Sequence, residues 1–264
     1  MKLSILIPAY NEEHRIREPL EQYGHALRDR NAELLVIVNG SHDRTEQVIR
    51  EDFLPRFPQF RLLVIPEKVG KGGALLRGIR ESRGAKIAFT DADGSTPPGA
   101  LLDLVDQCPV PGVVLGSRWL PGSVIGRPQP LSRRILSRIF NRFVRLFFGL
   151  QVTDTQCGAK VMSREAVQSI LPRIGTTQWA FDVELLFQLR KAGIPLLESP
   201  VEWRDVSGSK VKIFRSSVEM TFALIRLRLI YSPLKPLMDL WDRTLGRRLF
   251  ARRMAKMRSI YAKS

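Results

Sequence analysis

The sequence predicts an α/β fold, a mostly parallel mixed sheet with helices on both faces, and three observations carry the prediction. Short runs of branched apolar residues alternate with stretches of helical composition through roughly the first 120 residues. Each run ends in a polar cluster holding Gly, Pro or Asn, where a strand hands over to a loop. At 264 residues the chain can bury the core of one large domain with an appendage.

The elements follow in order. Residues 3–7 form a strand that closes on Pro8, residues 12–28 have helical composition, and residues 34–38 form a second strand ending in Asn39-Gly40-Ser41. That is a β-α-β unit. A third strand is expected at 61–65, a helix at 73–83, a fourth strand at 85–90 and a fifth at 113–116. Residues 121–130 are rich in Gly and Pro and predict a mobile loop, followed by a basic amphipathic helix from 131 to about 146. Phe181 opens an apolar helix. After Pro233 the pattern becomes basic helix with little core, so residues 1–232 are expected to form the catalytic domain. Residues 233–264 would then be a basic helical tail, lying on a membrane surface or laterally on the domain.

The formal charge is +16, and it is unevenly placed. Residues 122–170 carry eight Lys and Arg against two Asp and Glu, and residues 204–264 carry fifteen against four. Both segments also hold apolar clusters: Phe143, Leu146, Phe147 and Phe148 in the first, Met220, Phe222, Leu224, Ile225, Leu227, Leu229 and Ile230 in the second. Basic and apolar residues together suit an anionic membrane surface more than a nucleic-acid groove, the plain alternative being a basic surface that keeps the chain soluble. Residues 218–231 are interrupted by Arg226 and Arg228, which suits a helix lying in the interface rather than crossing it. The apolar run at the N-terminus is only strand length, so neither a signal peptide nor a spanning helix is expected there. Cys108 and Cys157 form no metal-spaced or redox motif and are expected as small buried residues in a reduced, cytoplasmic compartment.

Asp91-Ala92-Asp93 directly follows the fourth strand. Two carboxylates spaced i, i+2 at a strand end can turn toward one hard divalent cation. Such an ion would bridge the diphosphate of a nucleotide sugar and stabilise the leaving nucleoside diphosphate. Pro8, Tyr10, Asn11 and Glu12, after the first strand, offer an aromatic face, an amide and a carboxylate to a nucleoside, or else simply a turn and helix start. Asn39 has an amide that both donates and accepts, as reading a pyrimidine edge requires, while Asp43 and Thr45 are good helix caps. Val69-Gly70-Lys71-Gly72-Gly73 opens a helix whose free N–H groups, with Lys71, can meet phosphate. It lacks P-loop spacing, and no dinucleotide fingerprint is present, which weighs against a dehydrogenase. Arg134, Ser137, Arg138 and Asn141 share one helix face that would hold an acceptor phosphate or simply be solvated. Asp182 is either an N-cap or a carboxylate aimed at the reacting centre.

In their order along the chain, PAYNEE, NGSHDRT, GKGGALLRG, TDADGS, GSR, DTQCGAK, FDVELL and VEWRDVSGSK resemble the family 2 glycosyltransferases of the GT-A, Rossmann-like fold, over about residues 3–232. DTQCGAK, FDVELL and GSK look like dolichyl-phosphate β-glucosyltransferases more than dolichyl-phosphate mannose synthases. The resemblance implies inverting transfer of a hexose, from UDP-glucose or second GDP-mannose, to a polyprenyl phosphate, with Mg2+ or Mn2+ at Asp91 and Asp93. It implies Pro8, Tyr10 and Glu12 for the nucleoside, Lys71 on the nucleotide side, Arg118, Arg133, Arg134 and Ser137 for phosphates, and Asp182 near the acceptor. The basic and apolar segments described above set the expectation of work at the cytoplasmic face of a membrane, with no nucleic-acid partner. Two departures stand out: Val38 and Asn39 replace the paired acidic residues usual at the second strand's end, which alters base recognition. Ser95 replaces a Gln of the mannose synthases, which leaves the metal's third contact to water. A phosphate monoester, with a second pKa of about 6, needs no strong base, so Asp182 would position or tune. With a soluble sugar or protein acceptor it would be a true general base, and a non-catalytic binding module would not depend on Asp91 or Asp93.

Overall fold

The computed structural model describes residues 1–126, 131–175, 180–204 and 213–236. Two compact units are present, Met1–Val211 and Lys212–Ser264. The expected boundary after residue 232 falls within the second unit, and most of the tail, from 237 on, lies outside the described residues.

The first unit begins β1 (Leu3–Ala9), α1 (Arg17–Ala26), β2 (Ala32–Asn39), α2 (Thr45–Val48) with a π-helical turn (Ile49–Phe53), β3 (Phe60–Ile65), α3 (Gly70–Glu81) and β4 (Lys86–Phe89). It continues with α4 (Pro98–Gln107), β5 (Val113–Ser117), β6 (Val124–Ile125), α5 (Leu131–Phe148), β7 (Lys160–Ser163) and α6 (Arg164–Ile170). It ends with α7 (Phe181–Lys191), β8 (Leu196–Pro200) and β9 (Glu202–Trp203), and the second unit contributes α8 (Ile213–Ile230). No described helix is long and apolar enough to cross a membrane.

Seven strands form the main sheet in the order β3-β2-β1-β4-β7-β5-β8, all parallel except β7, which runs antiparallel to both neighbours. The mostly parallel mixed sheet is therefore as expected. β1 and β2 are buried at almost every position because helices cover both faces, so they are continuous apolar runs rather than alternating ones. On one face Leu3, Ile5 and Ile7 of β1 and Leu34, Val36 and Val38 of β2 pack with Leu20, Tyr23 and Leu27 around α1 and with Phe53, Phe57 and Phe60. The chain steps from β1 outward to β2 and β3, then returns to place β4 on the other side of β1. This reversal opens a crevice beyond the carboxyl ends of β1 and β4, the place where open α/β sheets take their ligands.

Several boundaries differ from the expected ones for identifiable reasons. α1 starts at Arg17 rather than 12, because Asn11 adopts φ 54° and residues 12–16 close a separate turn in which the amides of Arg15 and Ile16 donate to the Glu12 carbonyl. α3 starts at Gly70, three residues early, which brings Lys71 into its first turn. Part of the expected loop 121–130 is strand β6, paired parallel with β9, and residues 127–130 lie outside the described residues.

Candidate active site

Asp91 and Asp93 leave the end of β4 on a loop pinned from two sides. The Tyr23 hydroxyl on α1 donates to the Thr96 carbonyl at 3.2 Å, and the amide of Arg204, just after β9, donates to the Ser95 carbonyl at 2.8 Å. Ser95 turns back on Asp93: its amide (3.0 Å) and its hydroxyl (2.6 Å) both donate to Asp93 Oδ1. The residue that departs from the mannose-synthase pattern thus orients one of the two carboxylates. Asp91 Oδ1 ion-pairs with Lys71 Nζ at 2.6 Å. Beneath its other oxygen lies the backbone of Gly158, where a Cβ would come within 2.2 Å of Asp91 Oδ2. Burial alone would depress the Lys71 pKa, but the carboxylates of Asp91, Asp182 and Asp93 reverse this and hold the ammonium firmly protonated. Two carboxylates spaced i, i+2, one oriented by a hydroxyl, fit a hard divalent cation that takes its remaining ligands from phosphate and water. Among the described residues no third His, Cys, Asp or Glu joins them.

The ends of β1 and β2 are laced into one platform. The Asn11 amide donates to Ser41 Oγ, the Glu12 amide to Thr45 Oγ1 and the His42 amide to Asn11 Oδ1, at 3.1, 2.8 and 2.9 Å. Asp43 accepts from the amides of Thr45 and Glu13, but the N-cap position of α2 is Arg44 and no side-chain cap bond is made there, so neither Asp43 nor Thr45 is the cap. Gly40, at φ +60°, permits the chain of Lys68 to pass where a Cβ would come within 2.5 Å of its amide nitrogen. Lys68 Nζ then lies 3.6 Å from the centroid of the Tyr10 ring, a cation–π contact. The Glu12 carboxylate is engaged with Arg15 at 2.8 Å. Asn39 is buried, its amide nitrogen donating to the Ala9 carbonyl at 3.1 Å, while its Oδ1 has no hydrogen-bond partner among the described residues. One of the two amide hydrogens is thus used in the fold, and Oδ1 is buried with it.

Arg118 follows β5 and is clamped by the fully buried Asp154. Its Nε donates to Oδ2 at 2.7 Å, its Nη2 to Oδ1 at 3.0 Å, and its own amide to Oδ2 at 3.2 Å. Burial opposes the Asp154 charge, but the guanidinium outweighs it and holds the carboxyl below the usual range. Glu198 on β8 supports the clamp by accepting from the amides of Thr153 and Asp154. The Trp119 ring lies 5.7 Å from the Arg118 guanidinium and 5.0 Å from that of Arg138 on α5. On that helix face Arg134 is exposed and Ser137 half-buried. Asn141 keeps its place on that face but is not open to a phosphate: it is buried and accepts from the amide and hydroxyl of Thr155, fixing α5 to the loop before β7. The Arg133 side chain and the GSK motif at 208–210 lie outside the described residues.

Asp182 is in the first turn of α7, and no side-chain cap bond is made at that helix start. Its carboxylate accepts from Lys160 Nζ at 2.7 Å. Lys160 is wholly buried and also donates to the Cys157 carbonyl. Burial alone would raise the Asp182 pKa, but the ammonium groups of Lys160 and Lys71 lower it below the usual carboxylate range. A group held so firmly ionised is a fixed negative charge rather than a base poised near neutrality. Cys157 and Cys108 are both buried free thiols, as expected, and burial pushes Cys157 up to about 11.

The structure therefore gathers Asp91, Asp93, Lys71 and Asp182 at the crevice, places Pro8, Tyr10, Glu12 and Asn39 on the neighbouring strand ends, and sets Arg118 after β5. Sequence reasoning assigned no role to Ser95 Oγ, Asp154, Gly158 or Lys160. A charged residue inside DTQCGAK was the available signal, since Lys and Asp are seldom fully buried without a partner.

A family described as glycosyl transferase family 2 matches residues 4–171. A dolichyl-phosphate beta-glucosyltransferase of Dictyostelium discoideum is 34% identical over 245 residues, covering 87% of this chain and 74% of that protein. The dolichyl-phosphate beta-glucosyltransferase of Saccharomyces cerevisiae is 31% identical over 249 residues, covering 87% and 75%. Among solved structures, glucosyl-3-phosphoglycerate synthase of Mycobacterium tuberculosis in complex with Mn2+ and UDP-glucose aligns with TM-score 0.62 at 19% identity, over 86% of this chain and 78% of that one. A mannosyltransferase of Pyrobaculum calidifontis in complex with GDP-Man and Mn2+ aligns with TM-score 0.62 at 20% identity, over 88% and 64%.

Proposed function

The chain belongs to glycosyl transferase family 2, and on that premise we propose that it moves glucose from UDP-glucose to a dolichyl or other polyprenyl phosphate, with inversion at the anomeric carbon. One observation carries the reading: Asp91, at the switch-point strand end, is paired with the first-turn Lys71 of α3, and both are within electrostatic reach of an ionised Asp182. Such a site stabilises a departing diphosphate and needs no strong base. The relatives named above act on dolichyl phosphate by their names, and an acceptor of that class is already an anion.

In this reading the nucleoside lies over Pro8 and Tyr10, with Glu12 at its edge. Asn39, whose amide both donates and accepts, is assigned to the base edge, with GDP-mannose as the second donor. Mg2+ or Mn2+ held by Asp91 and Asp93 would supply charge neutralisation at the diphosphate. Lys71, kept protonated, meets the growing negative charge of the leaving group. The acceptor phosphate oxygen attacks the anomeric carbon as the bond to the diphosphate oxygen breaks. The electron pair leaves with UDP, and no proton has to be removed from a dianionic acceptor. Arg118, Arg133, Arg134 and Ser137 guide the acceptor phosphate, and Asp182 orients the reacting groups as a fixed charge.

α5 supports a peripheral place on a membrane, at its cytoplasmic face. It carries five arginines and no carboxylate. With successive residues turned by roughly 100°, the exposed Ile135, Leu136, Ile139 and Leu146 share an arc opposite the buried Asn141, Val144 and Phe148, with exposed Arg138 and Arg142 beside it. Residues 1–232 form the catalytic portion in this account and 233–264 a basic tail. The test is a donor screen with dolichyl phosphate in detergent: the predicted product is a glucosylated lipid phosphate from UDP-glucose. Product from GDP-mannose alone would move the assignment to mannose, and glucosylation of soluble acceptors alone would remove the lipid.

A further inference from the structure

Strand direction explains why a motif remote in sequence enters the crevice. β7 is the one antiparallel strand of the main sheet, and it lies between β4 and β5 with Lys160 in register with both Phe89 and Leu115. Parallel strands deliver their carboxyl ends to the crevice, whereas an antiparallel strand delivers its first residue there. Lys160 therefore enters the sheet beside the exits of β4, which leads to Asp91, and β5, which leads to Arg118. The preceding loop runs across those exits. Asp154 clamps Arg118, Thr155 is tied to Asn141, Gly158 lies under Asp91 Oδ2, and the Cys157 carbonyl accepts from Lys160 Nζ.

We infer that Lys160 is a positioning residue: it holds the Asp182 carboxylate in place at the crevice, without itself touching substrate. Its side chain has no solvent exposure, and its ammonium bridges an element on each side, the Cys157 carbonyl of the loop and Asp182 Oδ1 of α7 at 2.7 Å. A buried cation that only balanced charge would serve equally well anywhere beside Asp182. This one is also tethered to the Cys157 carbonyl, so the Asp182 carboxylate is held at a fixed place relative to that loop. The inference rests on the transfer reaction proposed above.

The experiment compares Lys160→Met, Asp182→Asn and the double variant, following transfer alongside UDP binding in the presence of Mn2+ by calorimetry, on protein shown to be folded by circular dichroism. Lys160→Met should lower kcat on the order of 10²-fold, the cost of misplacing reacting groups by about 1 Å, while UDP affinity and donor KM change by less than about threefold. The double variant should be no slower than the slower single variant, because both act through one carboxylate. Wild-type kcat in Lys160→Met, or losses that multiply in the double variant, would overturn the inference. If Lys160→Met does not fold, the double variant removes both charges and leaves no unpaired ion; the inference then requires it to share the kcat of Asp182→Asn, and a tenfold lower value overturns it. A wild-type protein that binds UDP but transfers nothing to dolichyl phosphate would count against the acceptor reading instead, and the same variants are then compared on the acceptor it does use.

Discussion

Gly158 has no positive φ, so alanine there meets no conformational objection; its methyl would meet the Asp91 carboxylate and turn it aside from its present position. Gly158→Ala is expected to weaken Mn2+ binding on the order of 10–100-fold, as changes beside a ligating group do, with little shift in melting temperature. Mn2+ titration by electron paramagnetic resonance beside a thermal melt checks both. Asp154 makes a second prediction. Its pKa is depressed in the folded protein, so its contribution to stability is complete above the unfolded value of about 3.9 and is lost as pH falls through and below it. Asp154→Asn leaves the buried Arg118 without its counter-charge and should cost roughly 3–5 kcal/mol near pH 7, with a shallower acid limb in urea unfolding followed against pH. The sequence made Asp91 and Asp93 legible because two carboxylates after an apolar strand are a local pattern. Asp154 and Lys160 were visible only as charges inside DTQCGAK, because nothing local names a partner 36 or 22 residues away.

Elements differ in how well sequence revealed them. β1 and β2 are long, branched and apolar, and their β-α-β unit was plain from residues 3–38. β7 spans four residues, Lys160–Ser163, with no alternation, and its antiparallel direction is imposed by the neighbours it joins, so neither was legible. That hidden strand is what carries DTQCGAK into the crevice. α5 was legible as a basic amphipathic helix, though Asn141, placed by spacing on the phosphate face, is instead buried against Thr155. Its exposed stripe makes an element-scale prediction: Leu146, at 75% exposure, and Ile139, at 61%, enter an anionic bilayer. The double substitution Ile139→Ser and Leu146→Ser should weaken sedimentation with phosphatidylserine vesicles by about 10²-fold or more, given roughly 1.5–3 kcal/mol for burying each such side chain in full. Activity on short-chain acceptor in detergent should be kept. Unchanged vesicle binding would assign the membrane contact elsewhere.

On the scale of the whole molecule, family 2 membership fixes the sheet and its switch-point crevice, and this chain's own residues furnish it. A metal-competent carboxylate pair, a protonated Lys71 and an ionised Asp182 converge from β4, α3 and α7, elements far apart in sequence. The order of strands and helices over the first half was readable because alternation of apolar runs is a local signal, whereas the return of β7, β8 and β9 to the sheet depends on pairing across the chain. The central claim is that Asp91 and Asp93 support transfer of glucose to a lipid phosphate. The most direct measurement is transfer of labelled glucose from UDP-glucose to dolichyl phosphate, with and without Mn2+, by the wild type and by folded Asp93→Ala. The account predicts Mn2+-dependent product that falls by about 10²-fold or more in the variant. Equal product from the wild type and Asp93→Ala would contradict it.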